Sequence, residues 1–167
     1  MRHNRLGRSA VVLAVSMSAV AAIGASPGLA GVAPMCGRFE ATIVGTSAGE
    51  QIVGTPGDDV IVARGGADQV QGLGGLDLIC AGRGNDAVQG NGGNDQIQRS
   101  AGNDQLSGGR GTDGLSGGRG ADQLFGNGGL DFLRGGRGFD LGHGGSGLDT
   151  CRSVERARSC NEPGPPE

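Results

Sequence analysis

The chain has 167 residues, of which 38 are Gly, and its 17 acidic residues outnumber its 14 basic ones for a formal net charge of −3. It contains neither Trp nor Tyr and only four Phe, so the composition excludes a conventional core of large side chains. Gly does not recur at every third position and Pro totals six, which excludes a collagen triple helix and leaves disorder or a repeat architecture.

Residues 1–30 have the pattern of a secretory signal peptide. Three Arg residues lie among the first eight, an apolar stretch covers residues 11–23, and small residues follow. We predict cleavage after Ala30. The alternative is an uncleaved membrane anchor, which the shortness of the apolar stretch disfavours. Cleavage would leave an exported chain with 11 Arg against 17 acidic residues, a net charge of −6.

After a short N-terminal segment, residues 31–44, a nine-residue repeat occupies residues 45–152. Asp recurs eleven times at this step, Gly precedes every one of these Asp residues by two positions, and an aliphatic residue follows nine of them by two positions. The Asp residues are Asp59, Asp68, Asp77, Asp86, Asp95, Asp104, Asp113, Asp122, Asp131, Asp140 and Asp149. The aliphatic residues are Ile61, Val70, Ile79, Val88, Ile97, Leu106, Leu115, Leu124 and Leu133.

One aliphatic residue per nine is too sparse for a helix face, but it suits a three-residue strand with the aliphatic side chain pointing inward. The Gly-rich residues between strands allow tight turns with positive φ. Two repeats then form one coil of 18 residues, and successive coils stack about 4.8 Å apart as parallel strands. This arrangement places alternate Asp residues above one another in two columns, one beginning at Asp59 and the other at Asp68.

Stacked carboxylates repel one another unless a cation lies between them. Carboxylate oxygens together with turn carbonyls are ligands that favour Ca²⁺ over Zn²⁺, and over the more strictly octahedral Mg²⁺. The alternative is that each Asp only caps its turn with its own side chain. Because the aliphatic core is thin, we expect the chain to be disordered without several bound calcium ions and to fold when they bind.

The unit G-G-x-G-x-D-x-U-x, in which U is a large aliphatic residue, resembles the RTX (repeats-in-toxin) family of haemolysin-type calcium-binding repeats. The resemblance implies an all-β fold, a parallel β-roll of about eleven nonapeptide repeats. It also implies calcium ligation by the eleven Asp residues. The fifth position of the unit, often Asn or Asp in the family, departs from the pattern at several places, for example Leu76 and Phe139.

Four Cys residues in an exported chain suggest two disulfides, for which three pairings exist. Cys151 and Cys160 lie nine residues apart where the repeats end, which favours their pairing and leaves Cys36 with Cys80. The alternative, a metal site formed by all four Cys, lacks the usual C-x₂-C spacing.

The sequence therefore predicts a secreted, extracellular, bacterial calcium-binding protein without catalytic activity. With His143 as the only His after residue 30 and no Lys or Tyr in the chain, an acyl-transfer triad lacks partners. We expect a monomer without a membrane span or nucleic-acid partner, and a C-terminal cap and disordered tail over residues 153–167. The alternatives are an adhesin or cell-surface module that uses the roll as a calcium-stiffened spacer and binds an unidentified glycan or surface, or an accessory to a separate enzyme.

Overall fold

The computed structural model describes residues 10–13 and 34–160, without the side chains of residues 10–13, 99 and 100. Within these ranges the chain forms seventeen strands and no helix, and so no helix that could cross a membrane. The predicted signal peptide is described only at strand β1 (Ala10–Leu13), which pairs with β5 at the end of a sheet. The predicted cleavage after Ala30 and the tail from residue 161 onward lie outside the described residues.

The strands differ in length between the middle and the ends of the repeat region. Before the regular repeats come β2 (Met35–Cys36), β3 (Phe39–Glu40), β4 (Ile43–Val44), β5 (Glu50–Val53) and β6 (Val60–Val62). The regular strands are β7 (Gln69–Gly74), β8 (Leu78–Arg83), β9 (Ala87–Gly92), β10 (Gln96–Ala101), β11 (Gln105–Arg110), β12 (Gly114–Arg119), β13 (Gln123–Gly128), β14 (Phe132–Arg137) and β15 (Leu141–Ser146). Two short strands follow, β16 (Thr150–Arg152) and β17 (Arg156–Arg158).

The strands alternate between two parallel sheets. The odd sheet has the order β1-β5-β7-β9-β11-β13-β15-β17, and the even sheet runs from β4 to β16 through the even-numbered strands. Paired residues are 18 apart within the regular strands, as Leu106 opposite Leu124 and Leu115 opposite Leu133 show. The chain is therefore an all-β parallel solenoid of about six turns with 18 residues per coil, as the repeat predicted.

The number of complete repeats is smaller than the eleven predicted. Only the nine strands β7 to β15 have six residues, whereas the strands after Asp59 and Asp149 have three. Both short strands lie near the ends of the even sheet, where β6 has only the two-residue β4 on its outer side and β16 is the edge strand. A terminal strand has fewer backbone partners, so its second half is not paired.

The regular strands are longer than the three residues predicted. Each begins with the expected triplet around the aliphatic residue and continues for three more, so that the second and fourth side-chain positions both face inward. In β7 these positions are Val70 and Gly72, and both are buried. Only three residues then remain for each bend, the last of which is the repeat Asp.

The aliphatic residues form one continuous core between the sheets. Ile52, Val70, Val88, Leu106 and Leu124 come from the odd sheet, and Ile43, Ile61, Ile79, Ile97, Leu115 and Leu133 come from the even sheet. The aliphatic series stops at Gly142 because side chains from the C-terminal end of the solenoid occupy the space that an aliphatic side chain would take there. A Cβ on Gly142 would lie 3.2 Å from Val154 Cγ1 and 3.4 Å from Cys151 Sγ.

Two disulfides fasten the ends of the solenoid, with the pairing that the sequence favoured. Cys36, in the β2–β3 hairpin, bonds to Cys80 at an outward position of β8, and Cys151 in β16 bonds to Cys160 beyond β17. The Cα atoms of each pair are 5.7 Å apart, within the range that a disulfide spans. The first closes a loop of 44 residues and the second one of nine.

The Gly that precedes each Asp from Asp68 onward by two positions is required by close contact between coils. Gly93 has a φ of 125°, a region that L side chains rarely adopt, and a Cβ there would overlap the carbonyl oxygen of Gly75 in the preceding coil. Its neighbour Gly92 has no positive φ, and the nearest atom to its Cβ position is the Leu73 carbonyl oxygen at 3.7 Å. Contact between coils therefore requires Gly at position 93 but leaves space for a Cβ at position 92.

We predict that Gly93→Ala lowers the free energy of unfolding by about 3 kcal/mol or more, because the added methyl group forces two coils apart. Gly92→Ala is the matched control and should change it by no more than about 0.5 kcal/mol. Denaturant unfolding of both variants under the same ionic conditions measures the difference. Equal effects of the two substitutions would contradict this account of coil stacking.

Candidate metal centre

The structure places the eleven repeat Asp residues in the two predicted columns, inside the solenoid. Each Asp is the residue directly before a strand, and none is more than 5% exposed. One column holds Asp59, Asp77, Asp95, Asp113, Asp131 and Asp149, and the other holds Asp68, Asp86, Asp104, Asp122 and Asp140. Carboxylates are rarely buried this completely without a partner, so the partners of their oxygens decide what the columns do.

One oxygen of each carboxylate from Asp68 onward joins neighbouring coils. The backbone N–H of Asp95 donates to Oδ1 of Asp113 at 2.8 Å, and the N–H of Asp77 donates to Oδ1 of Asp95 at 3.0 Å. The same bond recurs from Glu50 N–H to Asp68 through Asp131 N–H to Asp149. Each of these Asp residues thus caps backbone, as in the turn-capping alternative, but the capped N–H belongs to the preceding coil and Oδ1 alone accepts it.

The second oxygen, Oδ2, has no hydrogen-bond partner in nine of these residues and is buried. They are Asp68, Asp77, Asp86, Asp95, Asp113, Asp122, Asp131, Asp140 and Asp149. In most repeats this oxygen lies against a Gly five residues earlier: a Cβ on Gly108 would overlap Oδ2 of Asp113. A buried, charged and unpartnered oxygen is costly unless a cation or a proton neutralises it.

The first two repeats satisfy their carboxylates in another way. Oδ2 of Asp59 accepts the backbone N–H of Thr55 at 2.6 Å and the Thr55 hydroxyl at 3.0 Å. Glu50, which takes the place of Asp one repeat earlier, accepts the backbone N–H and hydroxyl of Thr46 at 2.7 and 2.8 Å. Asp59 therefore differs from the Asp residues further along its column, because its second oxygen already has two donors.

At the other end, Glu155 replaces an Asp that the repeat no longer supplies. Asp140 would pair with an Asp at position 158, but Arg158 is found there, and the backbone N–H of Asp140 donates to Oε2 of Glu155 instead. Glu155 lies three positions out of phase with the repeat, so the nine-residue period carries no signal for this contact.

A second, exposed ladder was also missed by sequence reasoning. Asp58, Asn85, Asn94 and Asn103 occupy the fifth position of their units, and each accepts through Oδ1 a backbone N–H one coil later. The bond from Thr112 N–H to Asn94 Oδ1 is 2.7 Å. Asn at this position was the available signal. Where Leu or Phe stands instead, the bond is lost, but the Asp columns continue.

Burial raises the pKa of the column carboxyls. Desolvation, reinforced by the adjacent carboxylates, raises the pKa of Asp77 to about 7 and that of Asp113 to about 6, although a backbone N–H donor partly opposes the shift. Burial raises the pKa of six more column residues in the same way: Asp68, Asp86, Asp95, Asp122, Asp131 and Asp140. In the absence of a cation, the folded columns therefore retain protons that the unfolded chain releases.

The difference in carboxyl pKa between the folded and unfolded states determines how the stability of the metal-free fold changes with pH. A folded-state pKa above the ordinary value of 3.8 stabilises the fold below about pH 4, and the contribution is lost as pH rises through the folded-state pKa of about 6 to 7. We predict that the metal-free protein is most stable near pH 4 and loses stability progressively up to about pH 7. Thermal unfolding in metal-free buffers measures this; stability that rises over that interval would contradict the prediction.

Among the described residues, no three His, Cys, Asp or Glu side chains converge on one point. An ion between coils would therefore take carboxylate oxygens from two neighbouring Asp residues and complete its shell with backbone carbonyls. Such an all-oxygen donor set suits Ca²⁺. The unpartnered Oδ2 atoms, and the Gly residues that leave space beside them, fit a bound Ca²⁺ ion.

Comparison with known proteins agrees with the geometry. None of the curated proteins matches this chain. The family model of the RTX calcium-binding nonapeptide repeat, which spans four copies of the repeat, matches it six times. The matches cover residues 44–79, 71–106, 81–115, 89–124, 107–142 and 116–151. Together the matches include all eleven column Asp residues and span well over half of the chain, so the protein belongs to the RTX calcium-binding nonapeptide repeat family.

Proposed function

We propose that this chain is a secreted, non-catalytic calcium-binding protein in which Ca²⁺ binds between successive coils and supplies the free energy that folds the roll. The observation that carries the proposal is the row of buried, unpartnered Oδ2 atoms in both columns. Calcium bound there would neutralise the carboxylates and remove both their mutual repulsion and their cost of burial.

The ligands we propose are the column Asp residues from Asp68 to Asp149, with turn carbonyls completing each shell. Their Oδ1 atoms hold the coils in register, which leaves Oδ2 for the ion. Asp59 was also predicted as a ligand, and we propose it as the weakest, because Thr55 already donates twice to its second oxygen. Since each ion joins two coils, binding at one site orders the next, and we expect binding to be cooperative.

The folding role is supported by the composition of the interior. Each repeat contributes one aliphatic side chain and one carboxylate, with Gly at most of the remaining inward positions. A core this thin gives little hydrophobic stabilisation against the backbone entropy of a Gly-rich chain. Ion binding that occurs only in the folded state would make up the difference.

Export is supported by the signal-like pattern of residues 1–30 and by the two disulfides, which persist in oxidising compartments. A calcium-dependent fold suits such a route, because the chain would remain unfolded until it reaches a calcium-rich exterior. The absence of catalysis is supported by the side-chain inventory, in which His143 is the only imidazole after residue 30.

The test is a calcium titration of the full, oxidised protein, followed by far-UV circular dichroism. We expect a cooperative transition from coil to β structure with calcium and little response to the same concentration of magnesium. In Asp95→Asn/Asp113→Asn, two neighbours of one column keep an oxygen for the backbone N–H but lose the charged Oδ2. We predict that the calcium midpoint of this variant rises about tenfold or more.

Asp58→Asn is the matched control, because Asp58 is exposed and its Oδ1 bond to Leu76 N–H can be retained by Asn. Its calcium midpoint should stay close to that of the unchanged protein. If the column Asp residues only cap backbone, the double variant would instead fold at least as well as the unchanged protein at every calcium concentration, since it removes two buried charges. That result would contradict the proposal.

A further inference from the structure

The fold separates the acidic residues of the chain from its basic ones. Of the fifteen acidic residues that the structure describes, twelve are buried, and only Glu40, Asp58 and Glu155 are exposed. Ten Arg residues are exposed: Arg38, Arg64, Arg83, Arg110, Arg119, Arg134, Arg137, Arg152, Arg156 and Arg158. Although the sequence is acidic overall, the described surface of the folded roll is cationic.

The even sheet concentrates this charge on one face. Arg83, Arg119 and Arg137 occupy the last position of β8, β12 and β14, in one row that continues through Ala101 of β10. Arg134 and Arg152 are register partners in a second row. Arg119 and Arg137, like Arg134 and Arg152, are separated by one coil, about 4.8 Å, whereas Arg83 and Arg119 are two coils apart, about 9.6 Å. We call these five residues the arginine face.

The arginine face is available to a ligand. Within the described part of the chain, none of its guanidinium groups forms an ion pair with a carboxylate. Arg119, Arg134 and Arg137 line a groove of about 430 Å³ together with Ser116, whose hydroxyl adds a neutral hydrogen-bonding group. Arg152 lies over the ring of Phe132, with 5.7 Å between its Cζ and the ring centroid. Unpaired guanidinium groups around one groove can each donate two parallel hydrogen bonds to a pair of oxygens of a carboxylate or sulfate group.

We propose that the arginine face binds a linear anionic polysaccharide that carries carboxylate or sulfate groups. The rows cross successive coils along the roll axis, so an extended polymer with one anionic group per sugar or per disaccharide can contact several coils at once. Single-stranded nucleic acid is disfavoured because its successive bases stack on several aromatic side chains, whereas Phe132 is the only aromatic residue in the described strands of the even sheet.

The calcium dependence of this binding rests on the function proposed above. In an unfolded chain the column carboxylates are exposed and repel a polyanion. Folding with calcium buries and neutralises them, and leaves the Arg residues on the surface. We therefore expect calcium to convert the protein from a chain that polyanions repel into a surface that binds them.

The test measures binding of the full, oxidised protein to immobilised dextran sulfate and hyaluronan, with neutral dextran as the blank, in calcium and in chelator. We expect calcium-dependent binding to both anionic polymers that weakens as salt is added. Arg119→Gln/Arg134→Gln/Arg137→Gln should weaken it by about tenfold to a hundredfold, since three exposed charge contacts are lost. Arg38→Gln/Arg110→Gln/Arg158→Gln removes the same charge elsewhere and should weaken it by less than about threefold.

Circular dichroism of the same samples separates failure of this inference from failure of the calcium proposal. If all variants fold with calcium but the two triple variants bind equally, the arginine face is not the site. Stronger binding to single-stranded DNA or to phosphatidylserine vesicles than to both polysaccharides would also overturn the inference. The protein could instead be folded in chelator and bind the polysaccharides there, with the same difference between the two triple variants. That result would support the arginine face as the binding site and contradict calcium-driven folding.

Discussion

The stacking of buried carboxylates one coil apart is the constraint on which the rest of the molecule depends. Each Asp column puts like charges at the spacing of neighbouring β-strands, inside a protein where water cannot screen them. The fold holds these carboxylates in place because Oδ1 of each Asp from Asp68 onward accepts a backbone N–H of the preceding coil. The second oxygen then needs a proton or a cation, and which of the two is present determines the stability of the solenoid.

Other features of the sequence follow from this arrangement. The Gly five residues before most Asp residues leaves room for Oδ2, and the Gly two residues before each Asp from Asp68 onward allows neighbouring bends to touch. At the N-terminal end, Thr46 and Thr55 donate hydrogen bonds to the carboxylates of Glu50 and Asp59. These bonds take the place that an ion would have further along the columns. We infer that this end, which the Cys36–Cys80 disulfide also ties to β8, depends least on calcium.

The period of the sequence was sufficient to predict the coil, the two Asp columns and the aliphatic core, because a strict step of nine residues leaves one way to stack them. It could not predict strand length, since the three extra residues of each strand are held by pairing with neighbouring coils and not by their own propensity. Nor could it predict that Thr55 satisfies Asp59 or that Glu155 caps a column, because both contacts arise where the repeat meets irregular chain. The cationic surface was hidden for a related reason: net charge counts buried and exposed groups alike.

The most direct measurement of the central claim is a crystal structure of the protein grown in calcium, with anomalous scattering used to locate the ions. The account predicts ions within the two columns, each in contact with Oδ2 of neighbouring Asp residues from Asp68 onward, with Asp59 bound least. Columns without ions, in which the Oδ2 atoms keep their present surroundings while calcium lies only on exposed carboxylates such as Asp58, would contradict it.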